Sequence, residues 1–341
     1  MRLLIASALM LYSKVDYIEK DSIMHTTALE KNAPWGLARI SHRDSLGFST
    51  FNKYFYADDA GEGVDVYMID TGINIDHVDF EGRAAWGKTI AVGVQDDDRK
   101  GHGTHCSGIV AGKKYGVAKS ANIIAVKVQR DNGHGKTSDI IKGVEYAVES
   151  HLEQSKRKGF KGSVANISLG GGKSTALNKA VNDAVDAGVH VVVAAGNDNQ
   201  DACNKSPASA ENVITIGASD SHDARASFSN YGKCVDIFAP GVDILSTYIG
   251  NTHAVKSMKG TSMASPHIAG LLAYLLSLQP SSDSAYAVKG DEMTATKLKA
   301  DLLKIATEGA LSGLPRDTPN LLAWNGGGSG NYSEIVGGGR M

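Results

Sequence analysis

The sequence predicts an α/β fold: a doubly wound, mostly parallel sheet with helices on both faces. Near-continuous runs of Val and Ile form short segments, such as residues 64–69 and 190–195. Amphipathic helical patterns alternate with these segments, and strands buried on both faces are typical of parallel sheets. With 341 residues, the chain is long enough to bury a substantial core.

The predicted elements follow one another from residue 33 onward. Strands are predicted over residues 64–69, 123–128, 164–168, 190–195, 213–216 and 235–238. Helices are predicted over 102–112, around Ile140, Ile141, Val144, Val148 and Leu152, around Leu177, Val181 and Val185, and up to residue 278. In open sheets of this kind, function gathers at the carboxyl ends of the strands. Asp70, Ser168 and Asn197 all follow strands in that way.

The charge balance excludes some classes of partner. The chain has 35 Lys and Arg against 37 Asp and Glu, so bulk attraction to a nucleic acid is not expected. The basic run at residues 156–161 is interpreted as a solvated loop, because it has one aromatic residue and no partner run. No apolar run approaches the roughly 20 residues that span a bilayer, so no membrane association is expected.

The termini differ in composition from the central part. Residues 1–12 resemble a minimal secretory signal, with a mis-assigned start as the alternative. Residues 33–326 are predicted to form the folded domain. Residues 327–341 are rich in glycine and lack apolar periodicity, so a flexible tail is expected.

The chain contains three cysteines: Cys106, Cys203 and Cys234. They form no CxxC pair, which argues against a zinc or redox motif. In an oxidising compartment, the odd number predicts one disulfide and one free thiol. The spacing does not indicate which two residues pair.

Ser262 lies at the start of a long apolar helical pattern. It belongs to the stretch Gly260–His267, and Pro266 is expected near the helix start because proline suits a first turn. The positive end of the helix dipole stabilises developing negative charge, which favours a nucleophile there. The alternative role is a helix cap, a common role for serine.

Four separated segments each place a chemically useful residue beside glycine. They are 70–72, 101–108, 194–197 and 260–262. A serine becomes a good nucleophile when an imidazole accepts its proton, and a carboxylate must orient that imidazole. A side-chain amide together with a backbone N–H can stabilise the oxyanion. The chain supplies these groups in the order Asp, His, Asn, Ser.

This order and the local motifs resemble the subtilisin-like serine proteases. Cys106, directly after the histidine motif, and residues 227–232 are similar to the proteinase K branch. Residues 33–39, 74–80 and 318–320, with Asn325-Gly326, resemble the fungal vacuolar protease B (cerevisin) group. The resemblance covers residues 33–326 and therefore implies a subtilisin-like fold.

The resemblance implies a serine endopeptidase of broad specificity that needs no cofactor for catalysis. Ser262 is then the nucleophile, His102 the general base and later the acid, and Asp70 the orienting carboxylate. Asn197 and the backbone N–H of Ser262 form the oxyanion hole. His105 is a rival base three residues along the same helix. A metal site of His102, His105 and Cys106 is the less favoured alternative, because no matching ligand cluster appears elsewhere.

Two glycine-containing segments resemble those that pair with an extended substrate in this family. They comprise Gly133, His134 and Gly135, and Ser168, Leu169 and Gly170. Main-chain pairing adds a peptide as an extra strand, and glycine permits close approach. Ordinary turn chemistry is the alternative. Ala194, Ala195 and Gly196 are expected to form one wall of a roomy, apolar primary specificity pocket.

The resemblance also assigns the cysteines and suggests a metal. Cys106 falls one helical turn after His102, so its thiol is expected beneath the imidazole. Cys203 and Cys234 are then left as the disulfide pair. Subtilases often bind structural calcium, and Asp236 lies where the proteinase K branch has a ligand. Glu211 replaces a proline at another ligand position of that branch.

Members of this family are made with an inhibitory pro-domain. Residues 1–32 are interpreted as a truncated signal and pro-region remnant, with residues 15–22 resembling the last pro-domain strand and cleavage expected near residues 31–32. The expected partners are protein and peptide substrates and a pro-domain or inhibitor, in cis or in trans. The alternative to an active enzyme is a catalytically silent relative or incomplete zymogen, with at most a binding role.

Three glycosylation sequons bear on the compartment. Asn166 is expected to be buried in the sheet, whereas Asn204 and Asn331 are candidate acceptors in the secretory pathway. A vacuolar or extracellular location and a monomeric state are expected.

Overall fold

The computed structural model describes residues 27–281, 284 and 293–338. The expectations for the signal-like segment and for residues 15–22 lie outside the described residues. Fifteen strands and seven α-helices are described. The strands are β1 Thr27–Lys31, β2 Lys53–Ala57, β3 Val64–Asp70, β4 Ala84–Thr89, β5 Asn122–Lys127, β6 Gly162–Ile167, β7 Gly171–Gly172, β8 His190–Ala194, β9 Lys205–Ser206, β10 Ile214–Ser219, β11 Ile237–Pro240, β12 Ile244–Thr247, β13 Val255–Met258, β14 Thr307–Glu308 and β15 Leu321–Leu322. The helices are α1 Trp35–Ser41, α2 His102–Ala111, α3 Thr137–Gln154, α4 Thr175–Asp186, α5 Thr261–Ser277, α6 Ala295–Ile305 and α7 Tyr332–Gly337.

Nine of these strands form one sheet, in the order β14-β15-β11-β10-β8-β6-β3-β5-β4. Every neighbouring pair is parallel except β14 and β15, which are antiparallel. The predicted doubly wound, mostly parallel sheet is therefore confirmed. All seven residues of β3 are buried, as expected for a strand covered on both faces.

Separate apolar layers cover the two faces of the sheet. Helices α2 and α5 contribute to the larger core, and α3 and α4 contribute to the second core on the other face. Helix α5 is buried along almost its whole length, including Leu271, Leu272 and Leu275. Because it is apolar all round, it is a core helix rather than a surface helix. Within the described residues, no helix combines the length and the apolar character needed to cross a membrane.

Elements with few residues or weak periodicity were not predicted. These include β4, the antiparallel pairs β1–β2 and β12–β13, and helix α6. The β1–β2 pairing brings residues 27–31 into the folded domain, before the boundary expected at residue 33. In α3, Leu152 was expected to face inward, but its side chain is 54% exposed near the helix end.

The tail also differs from the flexible segment that was expected. Residues 332–337 form α7, and Ile335 is buried in the larger core. Asn331 caps this helix by accepting hydrogen bonds from the backbone N–H groups of Ser333 and Glu334. Tyr332 also donates to Asp301 of α6 at 2.6 Å. These contacts hold a segment whose composition alone indicates a linker.

Cys203 and Cys234 form a disulfide and close a loop with a sequence separation of 31 residues. This confirms the pairing implied by the family resemblance. Cys106 is a free, buried thiol.

Replacing both cysteines of this disulfide by serine is expected to lower the free energy of unfolding by about 3–4 kcal/mol, the loop-entropy value for a loop of this length. Thermal unfolding of the double variant, compared with the parent chain and with a Cys106→Ser control, measures the effect. An unchanged melting temperature would show that the crosslink does not stabilise the domain.

Candidate active site

Three neighbouring strands deliver side chains to one edge of the sheet. Asp70 ends β3, Ser168 follows β6, and Asn197 follows β8, and these strands are adjacent in the order β3-β6-β8. Carboxyl ends of parallel strands form the functional edge of an open sheet. The predicted grouping of the three residues at this edge therefore agrees with the topology.

Asp70 holds His102 through both carboxylate oxygens. The Nδ1 atom of His102 lies 2.8 Å from Oδ1 and 2.9 Å from Oδ2 of the buried Asp70. A β-carbon at Gly103 would lie 2.2 Å from the carbonyl oxygen of Gly72. Glycine at position 103 therefore lets α2 approach the end of β3 closely. Because Nδ1 is engaged, Nε2 is the nitrogen left to exchange a proton with a substrate or a serine.

The environment of His102 sets its protonation. Burial alone would lower the pKa of His102, but the negative charge and hydrogen bond of Asp70 raise it above its ordinary value. A general base must be neutral, so His102 cannot act as a base at a pH below its pKa. Because this pKa is raised, base function is lost at a higher pH than for an ordinary histidine.

We therefore expect kcat/KM to fall as the pH is lowered, with a midpoint above the ordinary imidazole pKa of about 6.5. In Asp70→Asn the charge that raises the pKa is absent, so the midpoint should move to lower pH while kcat also drops. A pH profile with a fluorogenic peptide measures both effects. If the midpoint does not move in this variant, the fall of kcat/KM at low pH is caused by the protonation of a group other than His102.

Asp98 was not identified from the sequence, although it organises the start of α2. One oxygen accepts from the hydroxyl of Thr71 and from the N–H groups of Lys100 and Gly101. The other oxygen accepts from the N–H and the hydroxyl of Thr104. Because Thr71 also accepts from the N–H of Gly103, Asp98 ties the end of β3 to the helix that carries the histidine. An acid three residues before the helix-capping glycine was the available signal.

Asp98→Ala is expected to lower kcat by about 10- to 100-fold, with a smaller change in KM, because the imidazole of His102 is displaced without loss of a substrate contact. Steady-state kinetics measures kcat and KM separately, and Asp96→Asn, a variant of an exposed neighbour, is the control. Asp98→Asn keeps the shape and half of the acceptor capacity, so it should recover part of the loss. Equal losses in both Asp98 variants would contradict a positioning role.

Ser262 is the second residue of α5, as the sequence predicted for a nucleophile at a helix start. Its Oγ atom donates to the carbonyl oxygen of Ser168 at 3.0 Å. Its own carbonyl oxygen accepts from the thiol of Cys106 at 3.2 Å and from the hydroxyl of Ser168 at 3.1 Å. Ser262 is thus connected both to α2 and to the end of β6.

Pro266 explains why the carbonyl oxygen of Ser262 is available to Cys106 and Ser168. The proline lies inside α5, in the second turn, and not in the first turn that the sequence suggested. Since proline has no N–H, it cannot bond to the carbonyl four residues earlier, which belongs to Ser262. The freed carbonyl instead accepts from Cys106 and Ser168.

Asn197 is fixed in the orientation required of an oxyanion donor. Its Oδ1 atom accepts from the N–H and the hydroxyl of Thr261, at 2.8 and 3.0 Å. The Nδ2 group is then directed away from Thr261 and available to a ligand. A β-carbon at Gly260 (φ 148°) would lie 3.6 Å from both Asn197 Nδ2 and Ser262 N. Glycine therefore keeps open the space between the two candidate donors.

His105 is engaged elsewhere and is not available as a base. It is buried, and Nε2 lies 3.0 Å from the carbonyl oxygen of Ile244 and 2.9 Å from that of Lys256. Burial lowers its pKa to about 4. It therefore joins α2 to the β12–β13 hairpin as a neutral core residue, and it is not the rival base.

Cys106 packs beneath the pair of Asp70 and His102, as expected. Ligand-type atoms of these three residues all lie within 4.8 Å of one another. However, burial raises the pKa of the Cys106 thiol, and metal ligation requires the thiolate. Both oxygens of Asp70 are already engaged by His102. The cluster is better described as a thiol packed under the hydrogen-bonded pair of Asp70 and His102 than as a metal site.

A pocket of about 240 Å³ opens beside Ser262. Leu169, Gly170, Ala194, Ala195, Gly196, Asn197 and Thr261 all line it. All three residues predicted to form a wall of the specificity pocket, Ala194, Ala195 and Gly196, therefore line one cavity. The expected apolar character is incomplete, because Lys205 and Asp198, which form a 2.7 Å ion pair, also line the pocket.

The second predicted substrate segment forms a hairpin turn. Arg130 N–H donates to the carbonyl of His134 at 2.9 Å, and Gln129 bridges to Gly135. His134 and Gly135 are exposed, so the turn lies at the surface. The backbone N–H and carbonyl groups of Gly133 and His134 make hydrogen bonds within the turn.

The calcium expectation at Asp236 does not fit the contacts found there. Its Oδ1 atom lies 3.0 Å from the ammonium of Lys299, and its Oδ2 accepts from the N–H of Thr215 at 2.8 Å. Both carboxylate oxygens are therefore already engaged by groups of the chain, one of them cationic.

Comparison with known proteins identifies the family. Residues 61–320 match the profile of the Subtilase family, Peptidase_S8. The chain is 67% identical over 331 residues to Alkaline protease 2 of Aspergillus fumigatus, covering 94% of this chain and 66% of that protein. It is also 67% identical to Subtilisin-like serine protease Pen c 2 of Penicillium citrinum, covering 94% of this chain and 72% of that protein. The chain belongs to the subtilase family.

A solved structure agrees with this assignment. A cold adapted subtilisin-like serine proteinase superposes with a TM-score of 0.75 and 40% sequence identity, covering 86% of this chain and 99% of that one. The chain spans just under two thirds of the length of the Aspergillus relative.

Proposed function

We propose that this chain is a serine endopeptidase that cleaves internal peptide bonds of proteins through an acyl-enzyme. The observation that carries the proposal is the two-oxygen contact of Asp70 with Nδ1 of His102, at 2.8 and 2.9 Å. That contact fixes the tautomer in which Nε2 can accept a proton. Ser262 lies at the positive end of a buried helix. Its carbonyl oxygen accepts from the thiol of Cys106, whose sulfur lies within 4.8 Å of the ligand-type atoms of Asp70 and His102.

Acylation begins when Ser262 turns from the carbonyl of Ser168 toward His102. Nε2 of His102 accepts the hydroxyl proton while Oγ attacks the carbonyl carbon of the scissile bond. The imidazolium that forms is stabilised by the carboxylate of Asp70. The tetrahedral intermediate then collapses, Nε2 delivers the proton to the leaving nitrogen, and the C–N bond breaks.

The oxyanion of the intermediate is stabilised by two N–H donors. Nδ2 of Asn197 and the backbone N–H of Ser262 are assigned this role, and both border the space kept open at Gly260. Deacylation repeats the sequence with water as the nucleophile. His102 then accepts a proton from the water and returns it to Oγ of Ser262.

Substrate recognition is proposed to be mainly through the backbone. An extended peptide would lie between the edge at Gly133–Gly135 and the segment Ser168–Gly170, pairing as an added strand. This mode reads few side chains and supports broad specificity. Metal ions and organic cofactors have no step in the reaction.

The biological setting is proposed from the family and the disulfide. A crosslink between Cys203 and Cys234 is typical of proteins that fold in the secretory pathway, and we place the chain there, with delivery to the vacuole or outside the cell. Synthesis with an inhibitory pro-domain, in cis or in trans, and action as a monomer are parts of the same proposal. Asn204 is exposed and is the favoured glycosylation site, whereas Asn166 is buried.

A catalytically silent relative is the competing function. The two are separated by incubating the purified chain with reduced, unfolded casein and sequencing the products by mass spectrometry. We expect cleavage at many internal bonds, abolished by a serine-directed inhibitor. Association with casein without cleavage, even when an inhibitory pro-domain is supplied during folding, would favour the silent relative.

A further inference from the structure

Three oxygen atoms converge on the ammonium group of Lys299, which lies on α6. Its Nζ atom is 2.6 Å from the carbonyl oxygen of Val213 and 3.0 Å from Oδ1 of Asp236. The carbonyl oxygen of Glu211 lies at 3.4 Å. An ammonium group has three N–H donors, so these three oxygens can satisfy all of them.

The pair is partly shielded from solvent, which favours a cation beside the acid. The side chains of Lys299 and Asp236 are 21% and 23% exposed. Burial raises the pKa of Asp236, and the charge of Lys299 opposes this shift. An acid in this position is costly to ionise unless a cation stands beside it.

The same three oxygens are the kind of ligand set that calcium prefers. Calcium is bound by carboxylate and backbone carbonyl oxygens, completed by water. Asp236 is the residue for which the sequence suggested calcium. Glu211 is the residue that replaces a proline at another ligand position of the proteinase K branch. Lys299 comes from a different element, about 60 residues further along the chain, and its position could not be read from local sequence.

We infer that Lys299 is a built-in cation that fills a latent calcium site formed by Asp236 and the carbonyl oxygens of Val213 and Glu211. An ammonium at the focus of these oxygens excludes a divalent ion by charge repulsion and by occupying the space. The tethered cation joins α6 to the start of β10 and to the residue before β11. At this place, the stability of the domain is independent of the free calcium concentration.

The test removes the ammonium while keeping the length of the side chain. Lys299→Met leaves the three oxygens without their cation, and Lys304→Met removes a charge from the exposed last turn of the same helix as a matched control. Melting temperatures of the full chain are compared in EDTA, in magnesium and in calcium at about 10 mM, above the weak affinities of extracellular calcium sites. A serine-directed inhibitor is added to prevent self-digestion. If the chain is inactive, the same melting temperatures are measured without the inhibitor.

Lys299→Met should melt about 3–8 °C below the parent chain in EDTA, a shift typical of losing one partly buried ion pair in a large domain. Calcium should restore most of this loss, and magnesium should not. Calorimetry should find one more calcium bound per chain than in the parent. The double variant Lys299→Met/Asp236→Asn should lose the added calcium response.

Two results would overturn the inference. One is a calcium-dependent shift in Lys299→Met that is no larger than in the parent and in Lys304→Met. The other is a calcium response of the parent chain that Asp236→Asn alone removes, because the site would then bind the metal despite the lysine. If Lys299→Met does not fold in EDTA, recovery of folded protein when calcium is present during expression supports the inference, and failure to recover contradicts it.

Discussion

Ser262→Ala should reduce kcat by about 10⁵- to 10⁶-fold while the protein keeps its fold and its substrate affinity. The loss has this size because the members of a catalytic triad act as a unit, so removing one removes most of their joint contribution. Activity toward a fluorogenic peptide measures kcat, and binding of a non-cleavable peptide measures affinity. His102→Ala should give a loss of similar size, and the double variant should add little.

The control for this prediction is a buried serine of the same helix that has no role in the proposed reaction. Ser265 lies three residues further along α5 and donates to the amide oxygen of Asn166 at 2.7 Å. Ser265→Ala should affect stability more than kcat. A comparable kcat loss in both serine variants would mean that the helix is disturbed and that Ser262 has no special role.

Asn197→Ala should lower kcat by about 10²- to 10³-fold with little change in KM, the effect of deleting one donor to an oxyanion. The amide is held by Thr261 in the orientation that leaves Nδ2 available, so its contribution is made in the transition state. Steady-state kinetics on one peptide substrate separates the two constants. The exposed Asn212→Ala serves as the control for loss of an amide.

A change confined to KM would contradict the oxyanion assignment for Asn197. It would place the amide in ground-state substrate binding, because only an interaction made in the transition state changes kcat. Asn197→Asp gives a second check. A carboxylate at this position should repel the developing oxyanion and lower kcat at least as far as alanine does.

Much of the fold and site was predictable because the information is local. Strands β3, β6 and β8 are short apolar runs; Asp70 ends the first, Ser168 directly follows the second, and Asn197 lies three residues after the third. The parallel arrangement then brings the strand ends together without further information. Ser262 was recognisable because a helical apolar pattern begins beside it.

The parts that were missed depend on partners far apart in the chain. Asp98 has an ordinary acidic loop sequence around it, and its role depends on contacts to β3 and α2 together. Pro266 was expected at the first turn, but tertiary contacts to the freed carbonyl of Ser262 compensate for its place inside α5. Residues 332–337 are held by the buried Ile335 and by the hydrogen bond of Tyr332 to Asp301, which composition does not reveal.

The central claim is that Asp70, His102 and Ser262 work as one catalytic unit in this chain. The most direct test is to treat the full chain with a fluorophosphonate and to locate the modified residue by peptide mass spectrometry. We predict one label, on Ser262, that is absent in His102→Ala and strongly reduced in Asp70→Asn. A label on Ser262 that persists in His102→Ala, or no label when a pro-domain is supplied during folding, would contradict it.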